Sequence, residues 1–301
     1  MLLASGAAAE DLSSVPLGPN ADLGGVRLLP DDSPWNQDIS AAPVDPKSEA
    51  ILARIGLDTT PISAASGRAC PLAFLTSLSA ASRKKCRSPS NIESDPGPYP
   101  IPQDAPIEGG PNGDGDRHVL VLDRDAGTLF ELFNAFPDGN GGWKAGSGAI
   151  WNLKENQIRE AGFTSADAAG LPILPGLVRY DEAVEKGAIP HALRFTLKKT
   201  RRAYVPPASH WVSDETDEDL PPMGMRVRLK ADYDISGFSP EARAILQALK
   251  TYGMILADNG SDNVLSGTHD PRWNADAVGE IRRVTAKDLE VVEMDGLVAG
   301  E

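Results

Sequence analysis

Residues 93–116 read ESDPGPYPIPQDAPIEGGPNGDGD, and a stretch so dense in proline and glycine can be neither a continuous helix nor an interior strand. It must run as an extended, turning loop at the surface, where binding and catalytic groups are often carried. The same breakers recur throughout, 29 glycines and 25 prolines in 301 residues, so short elements joined by tight turns are expected.

The runs between the breakers read as strands. "RHVLVLD" and "TLFELFN" flank "RDAG", which predicts a hairpin with Gly127 at a position needing positive φ. "GAIWNL", "HALRFTLKK", "RAYVPP", "MRVRLKADYD" and "GMILADNG" add further strands. In "MRVRLKADYD", Met225, Val227, Leu229, Ala231 and Tyr233 alternate with Arg226, Arg228, Lys230, Asp232 and Asp234, which predicts one face in a core and one in water. Helices are few. "SPEARAILQALKTYG" carries Ser239 as N-cap, Pro240 at the first position and a stripe through Ala242, Ile245, Leu246 and Leu249, and "DPKSEAILARIG" ends at Gly56. "TSADAAG" reads as one short turn opened by Thr164 or Ser165. The pattern predicts a mainly β protein, an antiparallel β-sandwich of jelly-roll type with a few short helices.

One domain is expected over 30–280, preceded by a disordered leader at 1–29 and followed by a tail at 281–301. The opening "MLLASGAAAEDLSS" resembles the end of a truncated secretory signal peptide, which implies a secreted protein. No run approaches the roughly 18 apolar residues of a membrane span. The formal charge of -14, with an acidic cluster at 214–219, disfavours nucleic acid and anionic lipid as partners.

Candidate chemistry rests on three groupings. Asp116 and His118 are two apart, so on a strand they share a side, and His191 opens a second strand. Asp116, His118 and His191 can hold one divalent metal ion, or act as a base with its orienting partners. Structural histidines satisfied by their neighbours are the competing reading, since both lead into apolar strand faces. Glu93 and Asp95 open the Pro-rich loop and are candidate catalytic carboxylates for glycoside cleavage, against a plain role as turn formers. Trp35 with Asn36, and Trp151, lie in polar segments suited to stacking on sugar rings, and Arg194 and Arg202 can pair with an acidic sugar or with the protein's own carboxylates. There is no GxSxG elbow, no GxxxxGK[ST] loop and no HExxH helix. The expected partner is carbohydrate or polysaccharide. The expected activity is hydrolase or lyase cleavage, with a non-catalytic binding module and a metal-dependent enzyme as alternatives.

At "DDSPWNQDIS", "ESDPGPYPIP", "DGDRHVLVLDRD", "SADAAGLPILPGLVRYDE", "HALRFT" and "ILQALKTYGMILADNGS" the chain resembles an uncharacterised family of secreted bacterial β-rich proteins, over about residues 30–275. The resemblance implies an exported β-rich protein with polysaccharide-related work as context, and transfers no catalytic residue. It fails over 60–92, where the family pattern carries an alternating strand of the type GIPYVVV and then VPVTF. Permissible codons for Leu72–Asn91, read from each third base, can encode GIPYVVVSGKSKEVPVTFE. We therefore expect 60–92 to be a frame-shifted replacement of one or two strands, poorly packed beside a gap or an exposed sheet edge. Both cysteines, Cys70 and Cys86, fall inside it. A disulfide between them would contribute about 3 kcal/mol on loop-closure grounds, but neither survives in the alternative frame, so no redox or metal role is assigned to them.

Overall fold

The turn-bounded apolar runs do form short strands, and two sheets of them carry the fold. A computed structural model describes residues 11–20, 22–56, 60–64, 72–75 and 93–300. One sheet has the order β1 (Gly18–Pro19), β3 (Leu72–Leu75), β4 (Val119–Asp123), β5 (Thr128–Phe133) and β8 (Ser147–Asn152). The larger sheet has the order β14 (Leu289–Val291), β11 (Arg226–Leu229), β12 (Met254–Asn259), β9 (Leu193–Leu197), β13 (Val264–Leu265) and β2 (Ser63–Ala64). Two small ribbons pair β6 (Phe136–Pro137) with β7 (Trp143–Lys144), and β10 (Ala203–Tyr204) with β15 (Val298–Ala299). The helices are α1 (Ser48–Ile55), α2 (Pro240–Thr251) and α3 (Ala275–Gly279).

The protein is thus β-rich with few helices, but both large sheets are mixed. β3–β4, β12–β9 and β13–β2 are parallel and the remaining pairs antiparallel, so the purely antiparallel sandwich is corrected. Neither strand order shows a jelly roll. A parallel pair needs a crossover rather than a hairpin. Between β9 and β12 that crossover includes α2, whose Ala242, Ile245, Leu246 and Leu249 are buried as the stripe predicts.

The β4–β5 hairpin forms as expected, with Gly127 at φ +67 and its N–H donating to Asp123 O. β4 is buried along its whole length. Leu120 and Leu122 enter the main core, to which both large sheets contribute side chains, while Val119 and Val121 enter a second core with Tyr99, Ile101 and Trp143. The Pro-rich loop therefore covers the outer face of the sheet instead of standing off it. Tyr99 Oη donates to Asp95 O and Trp143 Nε1 to Pro102 O, which satisfies both polar groups under this cover.

Several expectations change. β11 stops at Leu229, and its supposed solvent face is covered: Arg226 donates to Tyr252 O and Pro34 O, and Arg228 to Glu290 and Ile39 O. Alternation marks two faces but not which of them another segment covers. Residues 11–29 are not a loose leader where described, because Leu12, Val15, Leu23 and Leu28 pack into the main core. The expected tail contributes β14 and β15 to sheets. Within the segment expected to have lost its strand, Leu72–Leu75 forms β3 between β1 and β4. Cys70, Cys86 and the rest of 76–92 lie outside the described residues. Among the described residues no helix is long and apolar enough to cross a membrane.

A buried charge knot ties the segment 179–191 to the core. Arg179 Nη2 donates to Glu182 at 2.6 Å and to Val26 O at 2.7 Å, and His191 Nε2 meets the other Glu182 oxygen at 3.0 Å. Glu182 is fully buried. Glu182→Ala takes from the buried Arg179 one of its two carboxylate partners, leaving Asp181 and Val26 O, and from His191 the partner of Nε2, and is expected to cost about 3–5 kcal/mol in chemical denaturation. A loss below about 1 kcal/mol contradicts this role.

Candidate functional site

The chemistry-bearing residues come from both large sheets and from the loop between β8 and β9. His118 immediately precedes β4 of one sheet, while Arg194 and Asp258 lie on β9 and β12 of the other. Asp167 comes from the loop between them. The "SADAAG" segment is a series of tight turns rather than a helix. Ser165 Oγ accepts from Asp167 N at 2.9 Å and donates to Leu171 O at 2.7 Å. Gly170 sits at φ +74, where a Cβ would lie 2.1 Å from Ser209 Oγ, so only glycine closes the turn.

Arg194 meets Asp167 through two bonds, Nη2–Oδ1 at 2.7 Å and Nε–Oδ2 at 3.3 Å, and its Nη1 donates to Ser266 Oγ. Asp167 is fully buried, so burial pushes its carboxyl up while Arg194 opposes the shift. Glu108 and His118 form a second pair. Their backbones and side chains interlock: Glu108 N donates to His118 O at 3.0 Å, and His118 Nδ1 lies 2.6 Å from Glu108 Oε2. His118 Nε2 faces Ala166 O at 3.0 Å, and a carbonyl only accepts, so Nε2 carries a proton. The Glu108–His118 pair accordingly shares the remaining proton at Nδ1. Burial pushes the Glu108 carboxyl up, but the hydrogen bond and charge of His118 outweigh it, and the net shift is downward.

Arg117 holds this loop in place. It is a non-glycine residue at φ +54, and its buried side chain donates to the carbonyls of Gly113, Pro111 and Ala135. Asp116 projects outward beside it, and Glu108, Asp116 and His118 each bring one ligand atom within 4.8 Å of the others.

Asp258, on β12, is within electrostatic reach of Asp167, Arg194 and His118. Its Oδ1 accepts from Asn259 N at 2.7 Å, and no hydrogen bond to Oδ2 is formed among the described residues. Burial pushes its carboxyl up to about 7, Asp167 adds to the shift and Arg194 opposes it. Glu131 is also raised to about 7 by burial, but it is fully enclosed and accepts from Ile173 N, Leu174 N and Trp151 Nε1. Glu131 anchors the loop behind the cluster; Asp258 is the raised carboxyl with an oxygen left over.

The other expected site residues fall elsewhere. His191 is held by Glu182 and Ala192 O, so the two-histidine metal cluster is corrected: Asp116 and His118 converge with Glu108 and not with His191. Asp95 accepts from Ile150 N and from the buried Arg159 and so pins the Pro-rich loop to β8, and Glu93 accepts from Thr164 N and ties it to the loop that carries Asp167. Trp35 and Trp151 are buried and border a cavity of about 30 Å³, room for about one water and not for a sugar ring. Asn36 ties off its own turn through Leu29 O and Pro30 O. Arg194 takes the internal partner, and Arg202 lies in a separate pocket. Sequence reasoning missed Asp167 and missed the importance of Glu108 and Asp258. The only sign of Asp258 was a carboxylate near the end of an apolar strand.

Comparison with protein-family models, with curated proteins and with solved structures returns no match.

The raised Asp258 carboxyl has a sign that stability measures. A folded-state value above the ordinary 3.8 means the protein favours the protonated form, a contribution fully present below about pH 4 and lost as pH rises through about 7. Asp258→Asn removes that loss. The variant should gain stability relative to the parent between about pH 4 and 7, with no further change above. A parent-minus-variant difference that is flat across this range contradicts the assignment.

Proposed function

We propose that the protein is a secreted acid–base enzyme that cleaves a polysaccharide, with Asp258 as proton donor and the Glu108–His118 pair as base. The observation that carries this reading is the free Oδ2 of Asp258, near the end of β12 and within electrostatic reach of the buried Asp167–Arg194 pair. Two carboxyl groups whose surroundings push them in opposite directions supply both halves of acid–base catalysis. Here Asp258 is raised and Glu108 lowered, and the charge of Arg194 acts on both. Glycosidic bonds require such a pair, one group protonated to release the leaving oxygen and one ionised to activate water or attack. Asp167 keeps Arg194 in place and does not reach substrate. Export, expected from the N-terminal residues, belongs to the same proposal.

A second reading has one specific observation in its favour. Glu108, Asp116 and His118 lie close enough to share a divalent metal, which would bind through His118 Nδ1 once the Glu108 bond is given up. A chelator separates the two.

The test is a panel of neutral and acidic polysaccharides assayed for reducing ends and for unsaturated products. Asp258→Asn and Glu108→Gln should each lower kcat by about 10²–10⁴ with little change in KM. Parent activity should fall as pH rises through about 7, where the donor loses its proton, and EDTA should leave it unchanged. Turnover retained in Asp258→Asn contradicts the donor role, and loss of turnover in EDTA moves the assignment to the metal reading.

A further inference from the structure

Away from this cluster, a pocket of about 430 Å³ opens between the segment before α1, the acidic loop after β10 and the C-terminal ribbon. Arg201 and Arg202 form its basic wall, and Met294, Leu297 and Ala299 its apolar one. The two arginines are held by backbone: Arg201 N donates to Pro221 O, Arg202 N to Glu215 O, and Gly300 N to Arg202 O. Gly300 is required for this closeness. A Cβ there would lie 2.8 Å from Arg202 Nε and 2.9 Å from Trp211 Cζ2, so any larger residue would displace one of these side chains.

Neither guanidinium has a hydrogen-bond or ion-pair partner among the described residues, and the Nε atoms of both are buried and unsatisfied. Arginine is seldom left so, because a buried donor without an acceptor costs free energy. The carboxylates around the pocket are largely spent on other groups. Glu218 pairs with Lys47 at 2.9 Å, and Asp45 accepts from Lys47 N and Met294 N. Their charge reaches Arg201 only through space, from Glu218, Asp45 and Asp219, and Glu215 is the one wall carboxylate without a side-chain hydrogen bond among the described residues.

We propose that this pocket binds a small organic carboxylate, its oxygens between Arg201 and Arg202 and its hydrocarbon body against Met294, Leu297 and Ala299. The planar fork of arginine matches a carboxylate in two parallel bonds. The pocket volume suits a ligand of one or two rings. A monoanion is favoured over phosphate because Glu215 and its acidic neighbours penalise a second negative charge, and because the apolar wall rewards an organic body. The pocket is built from elements other than those carrying Asp258, so this binding stands or falls apart from the catalytic reading.

The experiment is calorimetric titration of the full chain with hexanoate, D-galacturonate, D-galactose and inorganic phosphate at low salt. At least one carboxylate should bind saturably and galactose should not. The preference between hexanoate and galacturonate identifies an aliphatic or a sugar-acid body. Arg202→Gln should weaken that binding at least tenfold, Arg202→Lys should weaken it less, Glu215→Gln should tighten it, and 0.5 M salt should weaken it. Circular dichroism confirms that each variant is folded, and Arg201→Gln replaces Arg202→Gln should the latter fail to fold. No saturable binding of either carboxylate, undiminished binding in the glutamine variants, or phosphate binding tighter than both overturns the proposal.

Discussion

The Asp167–Arg194 ion pair sets the terms for the region around it. A fully buried carboxylate is costly unless it is paired and hydrogen-bonded, and its partner here comes from a different element, β9. The loop that delivers Asp167 must therefore be held tightly, and the Ser165 and Gly170 turns do so. Once in place, that loop presents Ala166 O to His118 and so fixes which imidazole nitrogen is protonated. Burial raises the Asp258 carboxyl, and the same negative charge adds to the shift. One buried pair thus ties the loop that carries Asp167 to β9 and shapes the protonation of the groups around it.

Much of the fold was legible because it follows from local rules. The β4–β5 hairpin, the α2 stripe and the Gly56 stop of α1 each depend on neighbours within a few residues. The parallel pairings were not legible, since strand direction within a sheet is decided by crossovers that no short pattern encodes. The covering of Arg226 and Arg228 was likewise hidden, because it depends on residues 34–39, nearly two hundred positions away. Residues 11–29 read as a leader on composition, yet a few well-spaced leucines and valines suffice to anchor them.

The site was legible only in part, for the same reason. Asp116 and His118 stand two apart on one segment, and the structure brings them together. His191 lies two residues before β9, and its imidazole is taken by Glu182, a residue on a neighbouring π-helical turn. Glu108 meets His118 across a Pro-rich loop whose path is set by the Arg117 clamp, and Asp258 matters only because burial and Asp167 act on it. Trp35 and Trp151 show the limit of composition, since polar flanking sequence did not keep either indole exposed.

The central claim is that the Asp258 carboxyl remains protonated near neutrality because it is partly buried and within electrostatic reach of Asp167. Carbon-13 NMR of the labelled aspartate carboxyls, assigned by comparison with Asp258→Asn, measures this directly across the pH range. A titration midpoint for Asp258 at about 7 is the expected result. A midpoint near the ordinary aspartate value of about 4 would contradict the account and remove the proton donor from the proposed chemistry.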